Sequence, residues 1–109
     1  MEAAKTYEGP IMVTFSKGGG QFIAGKGADN TDDAACIAGA VAGAKHVREV
    51  AKLYGVPVVL HTDHCQKAWL PWIDGLLEAN QVRRGVLQNC RVVFCLAVLF
   101  GRGVGCLNL

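Results

Sequence analysis

Val56–Pro57–Val58–Val59–Leu60 is apolar at every position, and His61, Asp63 and His64 follow within four residues. A strand with one wet face alternates apolar and polar residues. One that is apolar throughout is buried on both faces, which predicts a parallel sheet covered by helices. This segment narrows the fold class to α/β. It also puts three ionisable side chains at the C-terminal end of a strand, where such folds carry their chemistry.

A similar unit precedes it. Ile11–Phe15 is rich in strand formers, opened by Pro10 and followed by Gly18–Gly19–Gly20, which predicts a strand leading into a loop. The loop is expected to run through Gly25, Lys26 and Gly27 to Asp29–Asn30–Thr31–Asp32–Asp33. That polar cluster signals a helix start, because its side chains can accept free N–H groups and its acids suit the positive end of the helix dipole. The helix is predicted from about Asp33 to Tyr54, with Ile37, Val41, Ala44, Val47, Ala51 and Tyr54 forming one apolar face. Gly39 and Gly43 weaken it but permit close backbone approach. Gly55 is a natural stop, and Pro57 prevents resumption. A further helix is signalled by Pro71, then by Trp72, Ile73, Leu76 and Leu77 on one side. Strand, helix, strand, helix is the beginning of an α/β fold.

Composition sets the limits. A chain of 109 residues is the size of one small domain at most. With 51% hydrophobic and 18% charged residues it is not intrinsically disordered. A formal net charge of +2 gives no bulk attraction to nucleic acid or to an anionic membrane, so neither partner is expected. The polar N-terminus, Met1 to Glu8, lacks the apolar core of a secretory signal. Five irregularly spaced cysteines argue against a disulfide framework and for a reducing compartment.

The charge is unevenly spread. Residues 1–81 hold 7 Lys+Arg and 9 Asp+Glu, whereas residues 82–109 hold four arginines and no acid. Two segments are therefore expected: 1–81 as the α/β part and 82–109 as an irregular tail of different origin. Gln81–Val82–Arg83 can be encoded by a match to a splice-donor consensus, so translated intron or a frameshift is the expected source, with a genuine alternative terminus as the competing one. The apolar run Val92–Gly101 is too short for a spanning helix, which needs ~17–25 residues. It is expected to be a buried strand or a non-native sequence.

Candidate chemistry centres on His61–Thr62–Asp63–His64. Alternation along a strand would send Asp63 and His64 to opposite sides, and a turn after the strand would bring them to one cavity. Histidine ligates metals and carboxylates move protons, but two ligands do not make a zinc site. Spacing alone leaves metal or acid/base work and a merely polar loop both open. Gly20 to Gly27 nearly fits the phosphate-cradling pattern G-x-x-x-x-G-K-[ST], but Gly27 stands where a Mg²⁺-binding hydroxyl belongs. A small phosphate- or nucleotide-binding module at Gly18–Gly27 is the alternative reading. Ser16 can hydrogen-bond a substrate oxygen. Lys17 and Lys26 can attract phosphate or be merely solvated. Cys65 is expected as a small buried residue, Trp69 and Trp72 as helix packing, and His46 as structural or exposed.

Phe15–Gly27, with Phe15-Ser16-Lys17-Gly18-Gly19-Gly20 at its start, resembles the loop after the second strand of class II, zinc-dependent fructose-bisphosphate aldolases. Tyr54–Cys65 resembles that family's third strand and active-site turn, and Leu70–Leu77 its following helix. The resemblance covers residues 10–80. It implies a partial (β/α)₈ TIM barrel of about two β/α units, usually homodimeric and cytoplasmic or plastidial. It implies reversible cleavage of fructose 1,6-bisphosphate to the triose phosphates dihydroxyacetone phosphate and glyceraldehyde 3-phosphate.

The resemblance also implies roles for residues. Asp63 corresponds to the catalytic proton donor and acceptor, and His64 to one ligand of the catalytic Zn²⁺. Ser16 corresponds to a contact of the glyceraldehyde 3-phosphate portion; His61 takes no role from the family and is expected to be a supporting residue. Lys17 stands where the family has Asn or Gln, and Gln66–Lys67–Ala68–Trp69 where it has Ala-Lys-Lys-Leu. A catalytic zinc takes three protein ligands, and one is recognisable here. The chain by itself is therefore expected to be inactive, as a partial barrel with exposed strand edges or as a non-catalytic interaction fragment.

Overall fold

The computed structural model describes residues 1–84, 94–100 and 103–108, with 80–84 and the two C-terminal stretches described as backbone. The chain runs α1 (Glu2–Thr6), β1 (Ile11–Phe15), α2 (Lys17–Ala24), α3 (Ala34–Tyr54), β2 (Val58–Cys65), α4 (Leu70–Arg84), β3 (Phe94–Phe100) and β4 (Gly103–Asn108). Short 3₁₀ turns at Thr31–Asp33 and Lys67–Trp69 lead into α3 and α4.

The sheet order is β1-β2-β3-β4. β2 lies parallel to β1 on one side and to β3 on the other, and β4 closes back antiparallel on β3. The fold class is α/β, as the apolar strand predicts. Two expectations are corrected. Residues 94–100 and 103–108 form strands, so the tail is not irregular there: Phe94–Phe100 is seven apolar residues long, enough for a strand and too short to span a membrane. For the same reason β2 has no open edge; β1 and β4 are the edge strands among the described residues. α4 continues through Arg84, across the expected boundary at residue 81. Among the described residues, no helix is long and apolar enough to cross a membrane.

The predicted glycine loop is also corrected. Residues 17–24 are helical although three of the first four are glycine. Ser16 explains the start: its extended backbone ends β1, and its Oγ accepts the N–H of Gly19 at 3.0 Å. The glycines themselves are required by packing against α3. A Cβ on Gly20 would collide with the carbonyl oxygen of Cys36, and one on Gly39 with the carbonyl oxygen of Gly20. Helix propensity is sacrificed so that two backbones can touch.

α3 ends as predicted. Gly55 takes the left-handed conformation, and its N–H donates to Ala51 O at 2.9 Å. The helix begins at Ala34, where Asn30 caps it: Asn30 Oδ1 accepts the N–H of Cys36 at 3.1 Å. The core lies between the sheet and its helices. Cys36, Ala40, Cys65, Trp72, Ile73 and Leu76 form one cluster, and Ala44, Ala51, Val58 and Leu60 another; Phe15 packs against both. Leu60 and Trp72 are wholly buried, and burial of a side chain like Leu contributes about 1.5–3 kcal/mol.

Candidate functional site

The site is built by a one-residue irregularity in β2. Thr62 pairs with Leu96 and Cys65 with Val98, so three steps along β2 match two along β3. The extra residue makes a bulge at Asp63–His64. Burial follows it. Val58, Leu60 and Thr62 alternate into the core, then Asp63 and His64 both face outward before Cys65 returns inside. The two residues that alternation would have separated therefore share one side. The expectation of a turn after residue 60 is corrected: His61 to Cys65 belong to the strand itself.

Asp63 and His64 line a cleft of about 610 Å³ together with Ser16, Lys17, Gly18, Cys65, Gln66 and Trp69. It opens at the C-terminal ends of β1 and β2, where α/β folds place ligands. Asp63 Oδ1 accepts the backbone N–H of His64 at 2.9 Å and lies 3.2 Å from His64 Nδ1. When Nδ1 carries the proton for that contact, Nε2 is left as the lone-pair nitrogen. Asp63 Oδ2 carries no hydrogen bond among the described residues and is free for a ligand proton.

His61 lies outside this cleft. It stands opposite Thr14 in the register, and its Nδ1 is 3.3 Å from Thr14 Oγ1. Ser16 is in the cleft wall, with its Oγ engaged as the cap of α2. His46 and Lys26 are exposed. The phosphate-loop reading of Gly20–Gly27 fails: a phosphate loop needs its lysine at the start of a helix, and Lys26 follows the end of one.

Lys17 and Trp69 contribute more than sequence reasoning gave them. Lys17 Nζ is 2.8 Å from Asp33 Oδ1 and lies over the Trp69 ring at 5.5 Å from its centroid. No local signal reveals a contact among residues 17, 33 and 69; only the fold brings them together.

A catalytic zinc takes three protein ligands and an open position. Among the described residues, no group of three His, Cys, Asp or Glu is placed to hold one. Cys65, adjacent to His64, is an unsuitable ligand. Its thiol is wholly buried and donates to Gln66 O at 3.3 Å. Burial pushes its pKa up, with the Lys17 charge opposing, so the thiolate that a metal requires is disfavoured. The described residues alone do not fit a zinc ion.

Comparison with known proteins adds a family-scale likeness. The family model described as fructose-bisphosphate aldolase class-II matches residues 1–90. The chain is 53% identical over 81 residues to a fructose-bisphosphate aldolase of Candida albicans, covering 74% of this chain and 23% of that one. It is 54% identical over 82 residues to a class 2 fructose-bisphosphate aldolase of Escherichia coli K12, with the same coverages. A crystal structure of fructose-bisphosphate aldolase from Campylobacter jejuni superposes with a TM-score of 0.71 at 50% identity, covering 78% of this chain and 23% of that one. The chain thus spans 23% of the length of these relatives.

Proposed function

The chain belongs to the class-II fructose-bisphosphate aldolase family, and from that premise we propose that its cleft is the proton-transfer part of an aldol-cleaving centre. The substrate is fructose 1,6-bisphosphate, and the products are dihydroxyacetone phosphate and glyceraldehyde 3-phosphate. The observation that carries the reading is the bulge that turns Asp63 and His64 together into the cleft walled by Ser16.

Asp63 is the general base in cleavage. Its carboxylate takes the proton of the hydroxyl on the carbon beside the breaking bond. That oxygen becomes the aldehyde carbonyl, the carbon–carbon bond breaks, and its electron pair passes to the ketose half as an enediolate. In condensation Asp63 returns the proton. The backbone N–H of His64 holds Oδ1, which leaves Oδ2 to face the substrate hydroxyl. Ser16 contacts the glyceraldehyde 3-phosphate half. In the complete enzyme His64 would be one of the residues holding a zinc ion, which would supply Lewis-acid polarisation of the ketose carbonyl, with the other ligands supplied from outside the described residues. A complete centre requires a (β/α)₈ barrel, of which β1 to α4 supply two β/α units.

The test is a segment exchange. Residues 1–81 replace the matching part of the Campylobacter jejuni aldolase, and cleavage of fructose 1,6-bisphosphate is followed by triose phosphate release. Activity in the exchanged enzyme and its loss with Asp63→Asn are the expected results. Full activity of the Asp63→Asn form overturns the reading.

A further inference from the structure

We propose that Lys17 is a positioning residue, a cationic clamp that fixes the Trp69 indole as a wall of the cleft that Asp63 and His64 also line. Its bearing on substrate rests on the reading of that cleft given above; the clamp itself does not. Asp33 anchors the clamp. This residue occupies the N-cap position of α3, where a carboxylate ordinarily accepts N–H groups of its own helix. Here it makes no such bond. Asp32 and Asp33 both hold positive φ, 53° and 62°, a conformation that non-glycine residues adopt only when their surroundings impose it. The capping is done from further back by Asn30, on the N–H of Cys36.

The Asp33 carboxylate is thereby released, and it meets Lys17 Nζ at 2.8 Å with both side chains only 19% exposed. An ion pair so shielded is screened less than one in open water. It fixes the otherwise flexible lysine stem in one direction, with its ammonium over the face of Trp69. A cation over an indole is attracted by the negative face of the ring. Lys17 therefore joins three separate pieces of chain: the first turn of α2, the turn into α3 and the turn into α4. All three meet at the cleft rim, where both Lys17 and Trp69 are lining residues. Asp33 already neutralises Lys17, so this lysine is not an anion anchor.

The chain's own fluorescence tests this, because its two tryptophans are Trp69 and the wholly buried Trp72. Quenching therefore reports on Trp69. Removing the cation over the ring leaves the Asp33 carboxylate uncompensated beside it, so the iodide-to-caesium quenching ratio of the 109-residue chain reads whether Lys17 is in place. Lys17→Met should lower the iodide-to-caesium ratio by about two- to fivefold, the Coulomb effect of losing one unit charge a few ångströms away in water. It should raise quenching by neutral acrylamide as the indole swings free, and Lys17→Arg should restore the ratio. General loosening would instead raise quenching by all three agents together.

A second measurement needs no change at Lys17. Proton NMR of the unaltered chain should show the Lys17 ε-methylene shifted upfield by the indole ring current, a shift removed by Trp69→Leu. A ratio unchanged in a folded Lys17→Met form, or an unshifted ε-methylene, overturns the clamp. Either result leaves the aldol-cleaving reading standing. An inactive exchanged enzyme beside a normal ring-current shift does the reverse.

Discussion

Asp63 and His64 are neighbours whose side chains and backbone converge on one oxygen: Asp63 Oδ1 is 2.9 Å from the His64 N–H and 3.2 Å from its Nδ1. Adjacent residues in a regular strand point to opposite faces. Here the bulge removes that opposition, and the pair becomes one unit with a free carboxylate oxygen and a free ring nitrogen. Its first consequence is kinetic. Asp63→Asn in the exchanged enzyme should lower the cleavage rate by ~10²–10⁴, the usual contribution of a general base. The partly exposed carboxylate does little for the core, so circular dichroism should show the fold unchanged.

The contact between α2 and α3 yields a signed pair of predictions. Gly39→Ala places a Cβ against the Gly20 carbonyl oxygen, so the helices must part. A loss of about 1–3 kcal/mol, the usual cost of overpacking, is expected in urea denaturation. Gly18→Ala meets nothing within 4 Å in the first turn of α2. It should stabilise the chain by about 0.4–1 kcal/mol, by restricting the unfolded state and favouring the helix.

Trp72 is wholly buried, and its indole N–H has no hydrogen-bond partner among the described residues. Trp72→Ala should cost about 3–5 kcal/mol by cavity formation. Trp72→Phe loses volume but also removes an unpaired buried donor, whose burial costs about 1–3 kcal/mol. The Phe form should therefore be far more stable than the Ala form, as thermal melting would show. Equal losses would refute a role for the orphan N–H.

Cys65 predicts a pH dependence. Its pKa is raised in the fold by burial, so the neutral thiol is the favoured folded form. The unfolded thiol ionises first, near pH ~8.5. The contribution to stability is complete below that pH and is lost as pH rises through the ordinary thiol range toward the folded value. Alkylation of the Cys65 peptide, read by mass spectrometry, should lag that of the denatured chain at each pH across this range. Lys17→Met removes the one charge opposing the shift, so it should slow alkylation further.

Much of this arrangement is legible in the sequence, and the gaps have physical causes. The uninterrupted apolar run before His61 announces a parallel strand because burial on two faces leaves no room for alternation. Gly55 announces the end of α3 because its left-handed backbone suits glycine. Gly39 reads correctly as a point of close approach. The glycines after Ser16 mislead, since their low helix propensity is local while their reason for being there is the α3 backbone. The bulge at Asp63–His64 is not legible at all, because it is a mismatch between β2 and β3 and exists only once they pair. The link from Asp33 through Lys17 to Trp69 is equally silent, its members being scattered along the chain.

The surplus residue in β2 also separates what the chain must conserve from what it can alter. With it in place, substitutions at positions 63 and 64 change reactivity while Thr62 and Cys65 keep their inward seats. Deleting either position would restore strict alternation with Cys65 still inward, and would leave one outward side chain where the cleft now has two. This corner of the protein therefore tolerates rewriting but not shortening.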